Sequence, residues 1–408
     1  MRALRELAVA IAGRLIGFLA RLVPRSPKIW VFGAPANSFG ENSKHLFIEA
    51  SAQVPEICAV WLSGDARLVE HLQRLGFCAH LRRSLSGLRI AARAGYHFTS
   101  SYASDGNEYL TRGAVLVSLW HGIPLKRIEF DIQQGPLRAL FHQPTAWQRH
   151  IAQAYLFRRP DYLLSTSPWV SSELLAPAFR VPTVQCLDLG YPRDDVLAAD
   201  ESAAMEHIRR YSTQPAIALA DEVRSRGGDF CLYLPTWRDH EPNFMTHVAA
   251  HLQVLNAALA QRDVLLVIKL HINTPAPAIT GIGALSHLRL LPSTEDIYPW
   301  LRLAARLITD YSSVAYDYLL LDRPLVIFAP DESAYVSNSR SFYPLMQEIV
   351  LGPWVSDGAA LADALFDDAR QLAFAPARQR ARDRLFAYPA GGAARRICDW
   401  ARSLPRSR

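Results

Sequence analysis

Lysine is nearly missing from this chain: of its 44 basic residues only Lys28, Lys44, Lys126 and Lys269 are lysines, and the remainder are arginine. A GC-rich genome produces such a bias, so most arginines need no special reading, whereas a position that keeps lysine invites one. Cysteine is scarce too. Cys58, Cys78, Cys186, Cys231 and Cys398 form no CxxC pair and no zinc-like spacing, which argues against a disulfide framework or a metal knuckle and fits a reduced cytosol. No apolar run is long and uninterrupted enough to span a bilayer, and no small-residue cleavage site follows the apolar start. Internal repeats and low-complexity tracts are also absent, which sets aside solenoids and arrays. Neither a metal nor a cofactor is expected.

What is present is the balance of a chain that buries sizeable cores: 50% hydrophobic and 20% charged. At 408 residues it exceeds what one core usually serves, so two α/β domains are the natural expectation. A net charge of +6 favours polyanionic partners such as nucleic acid, anionic lipid headgroups or phosphorylated substrates. Nucleic acid is set aside, because no RNA- or DNA-binding module is visible and the arginines are diffuse.

Residues 1–26 read as an amphipathic helix. Leu4, Ala8, Ile11, Leu15, Phe18 and Leu22 share one face, with Arg14, Arg21 and Arg25 on another. That pattern suits a basic helix lying on a membrane surface, or a helix packed on the protein's own core. A second membrane candidate runs from Arg138 to Arg159, where Phe141, Trp147, Tyr155 and Phe157 alternate with Arg149 and Arg158. The same mixture suits an acceptor-binding insertion, a lid or a buried helix pair.

The runs KIWVFGAP, EICAVWLS, AGYHFTSS, AVLVSLWHG, YLLSTS and TVQCLDLGYPR are apolar or β-branched and separated by helical periodicity. The alternation restarts with DFCLYLPTWRD, VLLVIKLH, LRLLPS, ARLITDYSS and PLVIFAPD. Two doubly wound parallel sheets facing a cleft follow, over residues 27–200 and 201–385, with a helical tail at 386–408. A polar, helical stretch ending in Gly227 and Gly228 begins near the boundary.

The motifs fall at strand ends, where such sheets bind ligands. His121 in SLWHGIPLK follows the strand AVLV. Its imidazole can take a proton from a hydroxyl, Gly122 permits close backbone approach, and Lys126 can hold a phosphate; a structural histidine is the alternative. In PTWRD, Arg238 can clamp a phosphate and Thr236 can donate to one, unless Arg238 and Asp239 form an ordinary surface pair. VLLVIKLH delivers Lys269 and His271 to one face of a strand end, where an apolar strand tolerates lysine best beside an anion. In TDYSS, a strand ends at Thr309 and Asp310, and a helix begins near Ser312 and Ser313. Those hydroxyls and free amides make either an anion site or a plain N-cap.

Together these runs resemble the CDP-glycerol glycerophosphotransferase family, which includes teichoic-acid primases and polymerases and related capsule polymerases. The matching residues are WHG-PLK at 120 to 126, Gly190, Pro192, Arg193 and Asp195, PTWRD at 235 to 239, and Lys269 with His271. The match continues with Thr309 to Ser313 and Asp317, then Asp322, Arg323 and Pro324, and ends with Asp331, Tyr335, Arg340, Phe342 and Tyr343. Ile272 stands where the family often has proline.

The resemblance implies a GT-B-like fold, with the acceptor side mainly in the N-terminal domain and the nucleotide mainly in the C-terminal one. It implies phosphotransfer from a CDP-glycerol donor to a hydroxyl of a polyol-phosphate, glycan or lipid-linked acceptor, releasing CMP. His121 would be the base. His271, Lys269 and Arg238 would stabilise the pyrophosphate, and Thr236, Thr309, Asp310, Ser312, Ser313 and Asp317 would complete the donor side. Trp120, Gly122, Lys126 and Arg193 would face acceptor or phosphate. The protein would work on the cytoplasmic face of the plasma membrane, held peripherally at an anionic surface. A CDP-ribitol or nucleotide-sugar transferase on the same scaffold is the rival reading. A non-catalytic polyanion or membrane binder is the rival from another class.

Overall fold

The computed structural model describes residues 2–238, 241, 244–271, 274, 284–333, 335, 341–344 and 351–404, without the side chains of 2–6 and 136. Asp239, Ile272 and Arg340 lie outside the described residues. The chain divides into two compact units. The first contains residues 1–121, 128–195 and 392–408, and the second contains 122–127 and 196–391.

The first unit is built on seven strands: β1 (Ser26–Gly33), β2 (Cys58–Ser63), β3 (Ala79–Leu81), β4 (Ala94–Thr99), β5 (Val115–Ser118), β6 (Tyr162–Ser165) and β7 (Cys186–Asp188). Their order is β3-β2-β1-β4-β5-β6-β7, and every pairing is parallel. The second unit carries β8 (Phe230–Leu234), β9 (Leu265–Lys269), β10 (Leu288–Leu291), β11 (Arg306–Thr309), β12 (Leu325–Phe328) and β13 (Trp354–Val355), in the parallel order β10-β9-β8-β11-β12-β13. Each sheet reverses its winding once, at β1/β4 and at β8/β11, which is the doubly wound topology.

Central strands such as β8 are buried along their whole length, as a sheet covered on both faces requires. β3 and β13 were not foreseen. With three and two residues, they are too short to show any periodicity.

The two cores differ in chemistry. Around β1 and β4 the first is aromatic: Phe32 stacks on Phe98 at 5.1 Å, and Phe47 meets Trp61 edge-on at 5.4 Å. In the second, Leu252 and Leu255 of the helix Phe244–Ala260 and Leu361 of the helix Gly358–Phe366 pack with Ile268 and Ile308 of the sheet.

The N-terminal helix α1 (Arg2–Leu19) packs through a face other than its apolar stripe. Ala10 and Ala20 are buried, and Gly13 and Gly17 lie so close to the unit that a Cβ at Gly13 would sit 2.1 Å from the Tyr109 ring. Ile11, Leu15, Phe18 and Leu22 point outward and are 51 to 71% exposed. The alternative in which the stripe packs on the protein's own core is therefore overturned, because only small residues let the helix backbone approach this closely. Arg25 also departs from expectation: it is half-buried and donates to the carbonyls of Ala20 and Ala91, both at 2.9 Å, closing the helix end onto the unit.

Gly13→Ala tests this close approach. Alanine's helix propensity favours the change by up to about 1 kcal/mol, but overpacking against Tyr109 costs about 1–3 kcal/mol, so the variant is expected to melt below wild type. An increase in Tm would mean that α1 sits loosely.

The stretch rich in Arg and aromatics is partly core: Phe141 is buried against Phe130 at 5.5 Å. Among the described residues no helix is long and apolar enough to cross a membrane. After the second unit the chain returns to the first as the helix Ala393–Ser403. The carboxylate of Asp195 accepts from the Ala393 and Ala394 amides at 2.7 and 2.8 Å, and the Tyr96 hydroxyl donates to the Ala401 carbonyl at 2.8 Å.

Candidate active site

In the first unit the site forms just beyond β5. Leu119 still bonds the Thr99 carbonyl at 2.7 Å, but Trp120 then turns into the left-handed region at φ 52°, and Gly122 follows at φ 139°. A bulky residue at positive φ is strained and needs support. Asn42, in the helix α2 (Glu41–Gln53), provides it by donating its amide to the carbonyls of Leu119 and Trp120 at 3.1 and 2.9 Å. Arg193 donates to the His121 carbonyl at 2.8 Å and to the Glu41 carboxylate at 2.9 Å.

This support presents His121 on the surface, its ring against the Trp120 indole with centroids 4.0 Å apart. The His121 Nδ1 lies 3.1 Å from the Ser100 carbonyl. A carbonyl only accepts, so Nδ1 carries the proton of the neutral imidazole and Nε2 keeps its lone pair, as a general base requires.

The second unit gathers its residues at the β8/β11 switch point. Asp310 accepts from the Thr236 amide at 2.9 Å and the Thr236 hydroxyl at 2.5 Å, and its other oxygen accepts from Arg238 at 2.6 Å. Arg238 is 1% exposed and grips Asp331 with two further bonds of 3.0 Å. Burial alone would lower its pKa, but Asp310 and Asp331 together hold it above the ordinary arginine value. Phe244 and Tyr335 cover the guanidinium at 3.8 and 4.8 Å.

The short segment 122–127 belongs here as well. Lys126 donates to the Tyr335 hydroxyl, and its backbone pairs with Phe342. Tyr335 in turn stacks on Tyr311 at 3.9 Å. Lys269, half-buried, is the last residue of β9, and the exposed His271 ring stacks on Trp237 at 5.8 Å. Thr236, Trp237, Arg238 and His271 line one small cavity.

Several predicted ligands have other duties. Arg238 is buried and not on the surface, and its guanidinium is engaged by the carboxylates of Asp310 and Asp331 instead of open to a phosphate. Thr309 is fully buried, and its hydroxyl donates to the Leu234 carbonyl at 2.8 Å, joining the switch-point strands. Asp317 is likewise buried, accepting from the Tyr298 hydroxyl at 2.7 Å. Arg193, 3% exposed, holds backbone instead of facing acceptor. Ser312 and Ser313 remain half-buried before a helix of only four residues, Val314–Asp317, and Ser313 makes no capping bond to it.

Sequence reasoning missed Glu41, Asn42 and Ser100 entirely. Polar residues in an ordinary helix and loop give no sign that they will reach a distant strand end. Asp331 and Tyr335 carried a signal, since they stood in the matching tail, but had been given no role.

The family model described as CDP-glycerol:poly(glycerophosphate) glycerophosphotransferase matches residues 16–401. A Staphylococcus aureus teichoic acid glycerol-phosphate transferase is 29% identical over 296 residues, 71% of this chain and 72% of that protein. A Bacillus spizizenii teichoic acid ribitol-phosphate primase is 27% identical over 302 residues, 72% of this chain and 71% of that one. A structure of the wall teichoic acid polymerase TagF superposes with a TM-score of 0.74 at 22% identity, covering 98% of this chain and 96% of the other. The fold is thus the GT-B-like pair of parallel-sheet units, and with the match spanning nearly its whole length the chain belongs to the CDP-glycerol glycerophosphotransferase family of transferases.

Proposed function

We propose that this enzyme transfers glycerol phosphate from CDP-glycerol to a hydroxyl of a polyol-phosphate, glycan or lipid-linked acceptor, releasing CMP, in the synthesis of a teichoic-acid-like or capsule polymer. The observation that carries the mechanism is the Nδ1–H bond of His121 to Ser100, which leaves Nε2 able to accept a proton. The acceptor oxygen attacks the glycerol-bearing phosphorus, and its proton passes to Nε2. The bond from that phosphorus to the bridging oxygen breaks, and CMP leaves with the electron pair.

Phosphoryl transfer of this kind depends on positioning and charge stabilisation. Lys269 and His271 are the groups we assign to the pyrophosphate, with the hydroxyls of Ser312 and Ser313 on the same donor. Arg238 and Asp310 act indirectly by fixing Thr236 and the loop after β8. Asn42 and Arg193 position His121.

We place the reaction at the cytoplasmic face of a membrane. The outward apolar face of α1 and the positive net charge support this reading.

CMP release from CDP-glycerol, with CDP-ribitol and UDP- and CMP-sugars in parallel and a phosphoglycerol or glycolipid acceptor, tests the donor. Release from CDP-glycerol above the others is expected. Turnover with CDP-ribitol alone would transfer the mechanism to a different polyol, and silence with every donor would favour a non-catalytic binder.

A further inference from the structure

Beneath α1 the first unit contains a cavity of about 250 Å³ lined by none of the residues assigned above to the transfer. Arg14, Arg112, Arg149, Arg158 and His150 line it, and Glu108 is the one carboxylate among its lining residues. Arg14 and Arg158 donate to the carbonyls of His150 and Glu108 at 2.7 and 3.1 Å, which anchors two guanidinium groups on backbone. Burial, followed by the nearby Arg112, pushes the pKa of Arg158 down to about 10, with Arg21 and Arg25 acting in the same direction and Asp161 opposing them. Arg158 is partly buried while Arg14, Arg112 and Arg149 are exposed, so water screens part of the repulsion among them and an anion in the space would relieve the rest.

We propose that this cavity receives the phosphate of an anionic membrane lipid while the apolar face of α1 enters the acyl layer. The proposal rests on the membrane reading above and names the ligand for it. Charge complementarity selects the phosphate, and α1 selects lipid over free phosphate. The helix that lines the cavity with Arg14 turns Ile11, Leu15 and Phe18 outward beside it, each more than half exposed. A soluble anion has no use for that apolar neighbour, whereas a phospholipid needs both surfaces.

Flotation with vesicles of phosphatidylcholine, alone or mixed with anionic phosphatidylglycerol, tests this independently of catalysis. Wild type is expected to float with the mixed vesicles and weakly with the neutral ones. Arg112→Gln with Arg149→Gln should lower that affinity about 25-fold, since each basic residue near an anionic surface contributes about fivefold. Arg67→Gln with Arg74→Gln, exposed on another helix of the same unit, removes the same charge and should remain near wild type. Leu15→Ser with Phe18→Ser should release the protein from both vesicles.

Equal loss in the two arginine pairs would assign binding to diffuse charge and overturn the cavity. So would unchanged binding in the cavity pair, or displacement from vesicles by inorganic phosphate at the concentration of the lipid phosphate. If wild type floats with neither vesicle, the membrane reading itself fails, whereas a failure confined to the cavity pair leaves that reading standing.

Discussion

His121→Ala is expected to slow CMP release by roughly 10²- to 10⁴-fold, the usual contribution of a positioned general base, while the melting temperature stays at the wild-type value. The two halves of this result have separate causes. The imidazole is exposed, so its removal leaves no cavity in the core. What positions the ring is backbone: Asn42 on the carbonyls of residues 119 and 120, and Arg193 on that of 121. Those supports survive the mutation.

Asn42→Ala should show the complementary pattern. It strands two buried carbonyls and releases the strained Trp120, so it loses both stability and turnover. The measurement is a pair of curves for each variant, thermal melting and steady-state CMP release. If His121→Ala keeps wild-type turnover, the base lies elsewhere and the Ser100 bond merely orders a turn.

Asp310→Ala should produce the largest loss of stability. It leaves Arg238 buried with only Asp331 opposite, and removing one partner of a buried ion pair costs about 3–5 kcal/mol. The same carboxylate also receives the amide and hydroxyl of Thr236, so the loop after β8 loses its anchor at once. At roughly 2–4 °C per kcal/mol for a domain of this size, the second unit should melt about 10 °C lower.

Asp331→Ala should cost less, because the Asp331 side chain is 12% exposed and water can take its place, whereas Asp310 is wholly enclosed. Combining Asp310→Ala with Arg238→Met should recover part of the stability relative to Asp310→Ala, since the wholly enclosed guanidinium is gone and the charge left behind, on Asp331, is 12% exposed to water. Calorimetry on the three variants decides the matter. A wild-type transition in Asp310→Ala would show that the cluster contributes little to the fold of this unit.

The sequence revealed the long strands and the loops that follow them because these signals are local. An apolar run such as LLVIK announces a buried parallel strand, and Lys269 at its end is conspicuous among so few lysines. It also placed His121 at a strand terminus. It could not reveal which polar residues would be turned inward. Arg238 and Asp317 looked like ligands because arginine and aspartate are ligand chemistry, yet their burial is decided by partners 93 and 19 residues away, Asp331 for one and Tyr298 for the other. The α1 stripe left two readings open for a related reason. Periodicity identifies two faces of a helix, but whether the neighbouring surface fits leucine or glycine depends on Tyr109 and Arg112.

The return of the helix Ala393–Ser403 to the first unit sets an order on biosynthesis. The Asp195 carboxylate, the Tyr96 hydroxyl and the ring of Tyr162, which meets Trp400 at 4.8 Å, all wait for residues translated about two to three hundred codons later. Residues 196–391 hold most of their own contacts and can mature on the ribosome, so the half that emerges first is the half completed last. A message cut short before codon 392 would therefore yield a chain whose second unit is finished and whose His121 half is not, a product that cellular proteases would recognise and remove.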